Sequence, residues 1–314
     1  MKYTIVGDPH TKSNNLDLSK DLLKMVEKRK KPVIWLGDIF DTKEIIRGKP
    51  LNLWLSYFRK SKLQHFVIVG NHDLFNLQTT EHSLECFKEF GNVTIIDDLT
   101  QIDENTYGIP YIHDQTKLKE VLKKIPKGSN LIAHLELKDF DFGNGHICDK
   151  GLTFKDFKKF DKVITGHFHK FQQKENVTYL GTPFSHSFGE ANQPKYLATL
   201  GEDLELHEIT KFPRHIIIKF DLDQELDLSG LNDRDYFRFD LKGSTHQLAA
   251  IQDQILDLKE KYPKLKVREI DTDTYQEYNE LDEDLNCEKQ FQVWATEVAN
   301  YDEYTIDLAL EYLK

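Results

Sequence analysis

Val33-Ile34-Trp35-Leu36-Gly37-Asp38-Ile39-Phe40-Asp41 and, after a helical interval, Phe66-Val67-Ile68-Val69-Gly70-Asn71-His72-Asp73 decide how this chain folds. Each is a short apolar run that breaks at a glycine and at once presents acids, an amide or an imidazole. Strands of a parallel sheet read as continuous apolar runs because both faces are covered, and the loops after their carboxyl ends are where such sheets carry their sites. The two stretches therefore predict two parallel strands that deliver polar groups to one edge.

The same rhythm extends in both directions. Tyr3 to Val6 reads as a strand ending in Gly7-Asp8-Pro9-His10, and Leu18, Leu22, Leu23 and Val26 recur at helical spacing before Pro32. Leu131-Ile132-Ala133 runs into His134, and Val163-Ile164-Thr165 into Gly166-His167-Phe168-His169. After Pro50, the residues Leu51, Leu53, Trp54, Leu55, Tyr57 and Phe58 predict a helix whose aromatic surplus serves either the core or a self-association face. Thr79 or Thr80 is expected to cap a helix through Phe90, stopped by Gly91. Further helices are expected around Lys117 to Ile125 and after the loop from Asp139 to Asp149. Strands are expected at 93–96, 106–109 and 177–180, followed by a hairpin of 196–200 and 204–209.

Near Phe212-Pro213 the pattern changes. Strands at 215–220, 236–241 and 265–270, with a helix from His246 to Lys261, predict a small α+β unit. From Asp271 the chain turns acidic through Glu277, Glu280, Asp282, Glu283 and Asp284, the pattern of an extended linker. Phe291, Trp294, Val298, Tyr301, Tyr304, Leu308 and Leu310 then suit one or two terminal amphipathic helices, a docking segment behind a polar tether.

Of the 314 residues, 39% are hydrophobic and 30% charged, as in a globular protein with room for one large domain and a smaller one. No run is long enough to span a bilayer and Met1-Lys2-Tyr3 leads straight into a strand, so no membrane association and a cytoplasmic location are expected. Cys86, Cys148 and Cys287 are isolated and without CxxC spacing, which argues against a disulfide framework and a thiolate zinc site. His146, two residues before Cys148, has no assigned role. The net charge of −11 argues against a sequence-independent nucleic-acid coat but not against an enzyme whose cations supply the local field.

Asp8, His10, Asp38, Asn71, His134, His167 and His169 offer oxygen and imidazole donors. Such a set suits two hard or borderline divalent ions, Mn²⁺ first, with Fe²⁺, Zn²⁺ or Mg²⁺ as alternatives. In a two-metal site the ions sit about 3.5–4 Å apart and clamp a phosphate between attacking and leaving oxygens. Asp38 stands where a bridging carboxylate would come from. His186 lies in a loop expected to face the ions and is a candidate phosphate contact.

In order, the blocks D-x-H, G-D-x-x-D, G-N-H-D, a lone histidine and G-H-x-H resemble the calcineurin-like metallophosphoesterases over about the first two hundred residues. The resemblance implies an α/β fold, a sandwich of two β-sheets flanked by helices. It implies Asp8, His10, Asp38 and His169 around one ion, and Asp38, Asn71, His134 and His167 around the other. It further implies that His72 is no ligand but the acid that protonates the leaving oxygen, with Asp41 orienting it.

Within that superfamily, Gly37-Asp38-Ile39-Phe40-Asp41-Thr42, Tyr179-Leu180-Gly181-Thr182-Pro183 and Ser187-Phe188-Gly189-Glu190 are similar to segments of SbcD-type nuclease subunits and their T-even phage counterparts. Asp41-Thr42-Lys43 lacks the Arg-Gly that protein phosphatases carry after this aspartate, which favours DNA over phosphoprotein. The resemblance thus implies a nuclease domain over 1–211, a capping domain over 212–270, an acidic linker over 271–288 and a helical ATPase-docking segment over 289–314. It implies a metal-dependent DNA phosphodiesterase that partners an SMC-like ATPase in recombination, replication or repair, as a homodimer within a heterotetramer, in the bacterial host cytoplasm if phage-encoded. Departures are Thr11-Lys12 where Leu-Gly usually follows the first histidine, and Ala133 where glycine often precedes His134. The rivals are a small-molecule or phosphomonoester phosphoesterase and a non-catalytic scaffold for the ATPase.

Overall fold

Tyr3, Thr4, Ile5 and Val6 are all buried, as a strand covered on both faces must be, and they form β1 (Tyr3–Val6) at the centre of a sheet. The computed structural model describes residues 2–43, 45–143, 145–223, 228 and 230–275. The chain divides into two units, one of Met1–Ile217 with Asp233–Tyr236, the other of Ile218–Asn232 with Phe237–Lys314.

In the first unit, β1 is followed by α1 (Leu16–Glu27), β2 (Val33–Trp35), α2 (Gly48–Lys60), β3 (His65–Ile68) and β4 (Val93–Ile96). Next come β5 (Thr100–Asp103), β6 (Thr106–Gly108), α3 (Gln115–Lys124), β7 (Asn130–His134), β8 (Val163–Gly166), β9 (Gln172–Lys174), β10 (Val177–Tyr179), β11 (Tyr196–Leu200) and β12 (Leu204–Glu208). They build two six-stranded sheets, ordered β12-β11-β1-β2-β3-β4 and β5-β6-β7-β8-β10-β9. Strands β1 to β4 are mutually parallel, as are β6, β7, β8 and β10, so each sheet gathers its carboxyl ends along one edge.

The period-two alternation of strand side chains sorts the core into layers. Ile5, Ile34, Ile68 and Ile96 point inward and meet Ile132 and Ile164 of the other sheet. Val6, Val33, Trp35 and Val67 point outward, under the apolar faces of α1 and α2. Leu131, Ala133 and Val163 lie under α3. Trp54 and Phe58 of α2 are fully buried in this outer layer and serve the core, while Tyr57 is partly buried against it.

Several elements depart from the sequence expectation. No α-helix spans Thr79 to Phe90; only a single 3₁₀ turn, Glu85–Phe87, forms there. The segment folds back instead through a Leu74–His82 bridge, with Ser83 N donating to Asp73 O at 2.8 Å. After the Asp139 to Asp149 loop the expected helix is one 3₁₀ turn, Phe154–Phe157. Strands β5 and β9 are additional, and both are polar edges.

A three-stranded sheet follows, β13 (His215–Asp221), β14 (Tyr236–Gly243) and β15 (Lys266–Asp271), with β14 and β15 parallel; all of it except His215–Ile217 and Tyr236 falls in the second unit. The helix expected from His246 to Lys261 is two, α4 (Thr245–Ala250) and α5 (Gln252–Lys261), separated at Ile251. A short α6 (Thr272–Tyr275) stands where the acidic linker was expected to begin. The rest of that linker and the terminal helices lie outside the described residues.

Candidate metal centre

The carboxyl ends of β1, β2, β3, β7 and β8 bring the seven expected donors into one cluster. His134 Nε2 lies 2.8 Å from Asn71 Oδ1, and His167 Nδ1 lies 2.7 Å from the same oxygen. His169 Nε2 lies 3.0 Å from His10 Nε2. One carboxylate oxygen joins the two groups: Asp38 Oδ2 is 3.6 Å from His10 Nε2 and 3.5 Å from His134 Nε2. Asp8 completes the set, its Oδ2 accepting from His167 N at 2.7 Å and its Oδ1 lying 3.9 Å from His134 Nδ1.

The backbone is bent to make this possible. His10 at φ 41°, Asp38 at φ 48° and His167 at φ 98° all occupy the region that L residues seldom enter. Such strain persists only where surrounding structure holds it, and it collects at functional sites. The preceding glycines let neighbouring strands close in. A Cβ on Gly70 would stand 2.2 Å from Asp38 Oδ1, and one on Gly166 would stand 2.2 Å from Asp8 Oδ1.

Donor chemistry shows that the cluster suits cations. The Nδ1–H of His134 is committed to the Leu36 carbonyl at 2.8 Å, so in the neutral ring Nε2 carries a lone pair that faces the oxygens of Asn71 and Asp38. Acceptor facing acceptor in a buried place is unfavourable until a positive charge comes between them. Asp8 Oδ1 and His10 Nδ1 are buried with no hydrogen-bond partner. Burial, then the charge of Asp38, holds the Asp8 carboxyl well above the usual carboxylate range, and a bound cation reverses that penalty. Burial likewise holds the imidazoles of His10, His134 and His167 below their ordinary value, in the neutral form that binds metal.

His72 sits beside this set, its ring 4.9 Å from that of His10, and His10, Asp38 and His72 offer donor atoms within 4.8 Å of one another. Its Nδ1, however, is 2.8 Å from the main-chain carbonyl of Asp41. The Asp41 carboxylate turns instead to Lys12 Nζ at 3.3 Å. His186 reaches the rim, its ring 5.6 Å from His10. Burial pushes its imidazole down to about 3, and its Nε2 has no hydrogen-bond partner. His146 is exposed on its loop, Cys86 and Cys148 are free thiols, and Cys287 lies outside the described residues.

Three supporting residues had no role in the sequence reading. Asp73 is fully buried and accepts from Asp38 N at 2.8 Å, Ile39 N at 3.1 Å and Gly70 N at 2.9 Å, tying the two site loops together. Its place three residues after Gly70, where a side chain can close a local turn, was the available signal. Glu190 accepts from His169 Nδ1 at 3.0 Å and pairs with the buried Lys195 at 2.5 Å. Burial raises the Glu190 carboxyl, but the bond to His169 and the Lys195 charge outweigh it and hold it well below its ordinary value. Nothing in the sequence singled out Lys195. A separate trio of His82, Glu85 and Asp97 already has a cation, since Lys88 Nζ lies 2.8 Å from Glu85 and 2.6 Å from Asp97.

Residues 1–171 match the calcineurin-like phosphoesterase family, and the chain belongs to that family. It is a metal-dependent phosphoesterase, with two six-stranded sheets flanked by helices carrying the site. The chain is 28% identical over 234 residues to "Putative phosphoesterase 244L" of Invertebrate iridescent virus 6, across 69% of this chain and 82% of that protein. It is 30% identical over 172 residues to "Exonuclease subunit 1" of Enterobacteria phage T4, across 52% of this chain and 50% of that protein, so the match spans about half of the phage protein's length. Among the described residues no helix is long and apolar enough to cross a membrane.

Proposed function

We propose that this chain is a two-metal DNA phosphodiesterase, the nuclease subunit of a complex with an SMC-like ATPase acting in recombination, replication or repair. The observation that carries the two-metal part is the shared Asp38 Oδ2, 3.6 Å from a nitrogen of one donor group and 3.5 Å from a nitrogen of the other. Asp8, His10, Asp38 and His169 would hold one ion, and Asp38, Asn71, His134 and His167 the second. An all-oxygen-and-imidazole set favours Mn²⁺. The 30% identity to a phage exonuclease subunit supports a nuclease with more than one subunit; the ATPase rests on the resemblance of the sequence motifs to SbcD-type subunits.

Bound ions supply Lewis acidity toward the phosphate and a more acidic water. The chain's own residues do the rest. The neutral imidazoles and the shared Asp38 carboxylate would hold the ions and so fix where a phosphate can sit. His72 acts as the imidazolium: Nδ1–H is pinned to the Asp41 carbonyl, and the second proton, on Nε2, passes to the departing ribose oxygen and leaves the ring neutral. His186, at the rim with a free Nε2, contacts a non-bridging phosphate oxygen. Residues 212–270 are assigned as a capping domain, 271–288 as a linker and 289–314 as the ATPase-docking segment.

The test is hydrolysis of linear duplex and single-stranded DNA with Mn²⁺ or Mg²⁺, with and without a candidate ATPase encoded nearby. Mn²⁺-dependent nucleotide release that stops on chelation is expected, and deleting 271–314 uncouples it from the ATPase. Hydrolysis of bis(p-nitrophenyl) phosphate with none of DNA would assign a small-molecule phosphoesterase instead.

A further inference from the structure

The loop from Thr182 to Lys195 builds a bracket behind His169. Glu190 is 4% exposed and ends the turn Phe188–Glu190, which Ser187 caps by accepting from Gly189 N at 3.2 Å. Glu190 Oε1 lies 3.0 Å from His169 Nδ1, while Oε2 accepts from Thr182 Oγ1 at 2.7 Å and from Lys195 Nζ at 2.5 Å. Lys195, 5% exposed, also donates to Thr182 Oγ1 at 2.7 Å and to the His169 carbonyl at 3.2 Å. Thr182 N donates to that same carbonyl at 3.1 Å. His169 is thus held at its ring and at its main chain by one closed network.

Burying a lysine and a glutamate is expensive, and a surface loop needs no such pair for its own folding. What the pair achieves is directional. With Nδ1–H donated to Glu190, the neutral His169 ring must carry its lone pair on Nε2, the atom that faces His10 Nε2 at 3.0 Å. His134 on the other side of Asp38 is oriented differently, by the Leu36 carbonyl, and does not share this network.

We propose that Glu190, locked by Lys195 and Thr182, is the positioning residue that fixes the tautomer and aim of His169 and so sets the affinity of one of the two ion sites. Carboxylates behind metal-binding imidazoles orient the ring and raise its basicity, and their loss commonly weakens binding about 10–100-fold. This inference rests on the metal reading given above.

Mn²⁺ binding to the full chain, followed by titration calorimetry and by the electron paramagnetic resonance of coupled ions, tests it. The wild type should take two ions and show spin coupling. Glu190→Ala should weaken one site about 10–100-fold and leave the other unchanged, so that coupling disappears at limiting Mn²⁺ and returns at saturation. Activity should follow: the Mn²⁺ concentration for half-activation rises while kcat at saturating Mn²⁺ stays near wild type. E190Q/K195M, which removes both charges yet keeps an oxygen for Nδ1–H, guards against misfolding and should bind more tightly than E190A. Wild-type affinity at both sites in E190A overturns the proposal. So does equal loss of both sites in E190A and E190Q/K195M with the melting temperature unchanged. A wild-type chain that binds no Mn²⁺ is a different result, because it removes the metal reading itself.

Discussion

Asp41 meets His72 through its main chain: the carbonyl oxygen lies 2.8 Å from His72 Nδ1, while the carboxylate reaches Lys12. The contact depends on where the loop runs, not on which side chain residue 41 carries.

His72→Gln should therefore lower DNA hydrolysis by about 10²–10⁴-fold, the span of a lost general acid. Asp41→Asn should lower it by less than about tenfold, because the carbonyl remains. Steady-state nucleotide release measured beside Mn²⁺ binding distinguishes the roles. If His72→Gln also loses an ion, His72 is a ligand and not the proton donor.

Asp73 ties the Asp38 loop to the Gly70 loop by accepting from the N–H groups of Asp38, Ile39 and Gly70. Asp73→Ala leaves those donors buried and unpaired, which costs about 3–5 kcal/mol in all. A urea melt of metal-free protein should show the drop, and a shift under about 1 kcal/mol would mean the loops hold without it.

The close approach at Gly70 predicts a separation of stability from binding. In Gly70→Ala the new methyl falls on the Asp38 carboxylate, so overpacking should cost about 1–3 kcal/mol while ion binding fails almost completely. Two ions retained at wild-type affinity, by elemental analysis after desalting, would show that the loops can separate to admit the methyl.

His65 predicts a pH dependence remote from the ions. It is buried in β3, accepts from Trp35 Nε1 at 3.3 Å and bonds Ser61 Oγ through Nε2 at 3.0 Å. Burial pushes its imidazole down to about 4 from an ordinary value of 6.5. The unfolded chain then takes up this proton first, so the contribution is complete above pH 6.5 and is lost as pH falls from 6.5 towards 4. Between pH 7 and 5 the loss is about 2 kcal/mol. Other buried imidazoles titrate in the same direction in metal-free protein. The readout is therefore the difference between wild type and His65→Phe in denaturant melts at both pH values, and identical slopes would contradict it.

The seven converging side chains are legible in the sequence because each ends an apolar run, most of them just past a glycine, and parallel strands advertise themselves by composition. Other features are not legible, for physical reasons. Leu84 and Phe87 are spaced for a helix, but Asp73 and Glu81 take the backbone donors of Ser83 and Phe75, and the segment turns back. Strands β5 and β9 are polar edges and carry no apolar signature. Lys195 looks like any surface lysine until the fold closes over it. The positive φ at His10, Asp38 and His167 belongs to tertiary structure alone.

The donors come from both halves of the sandwich, Asp8, His10, Asp38 and Asn71 from one sheet and His134, His167 and His169 from the other. A cation lodged among them is a clasp across two lamellae. Whatever loosens their mutual grip, such as Ile96→Ala in the apolar filling, must also loosen the clasp, and by reciprocity an occupied clasp resists prying the halves apart.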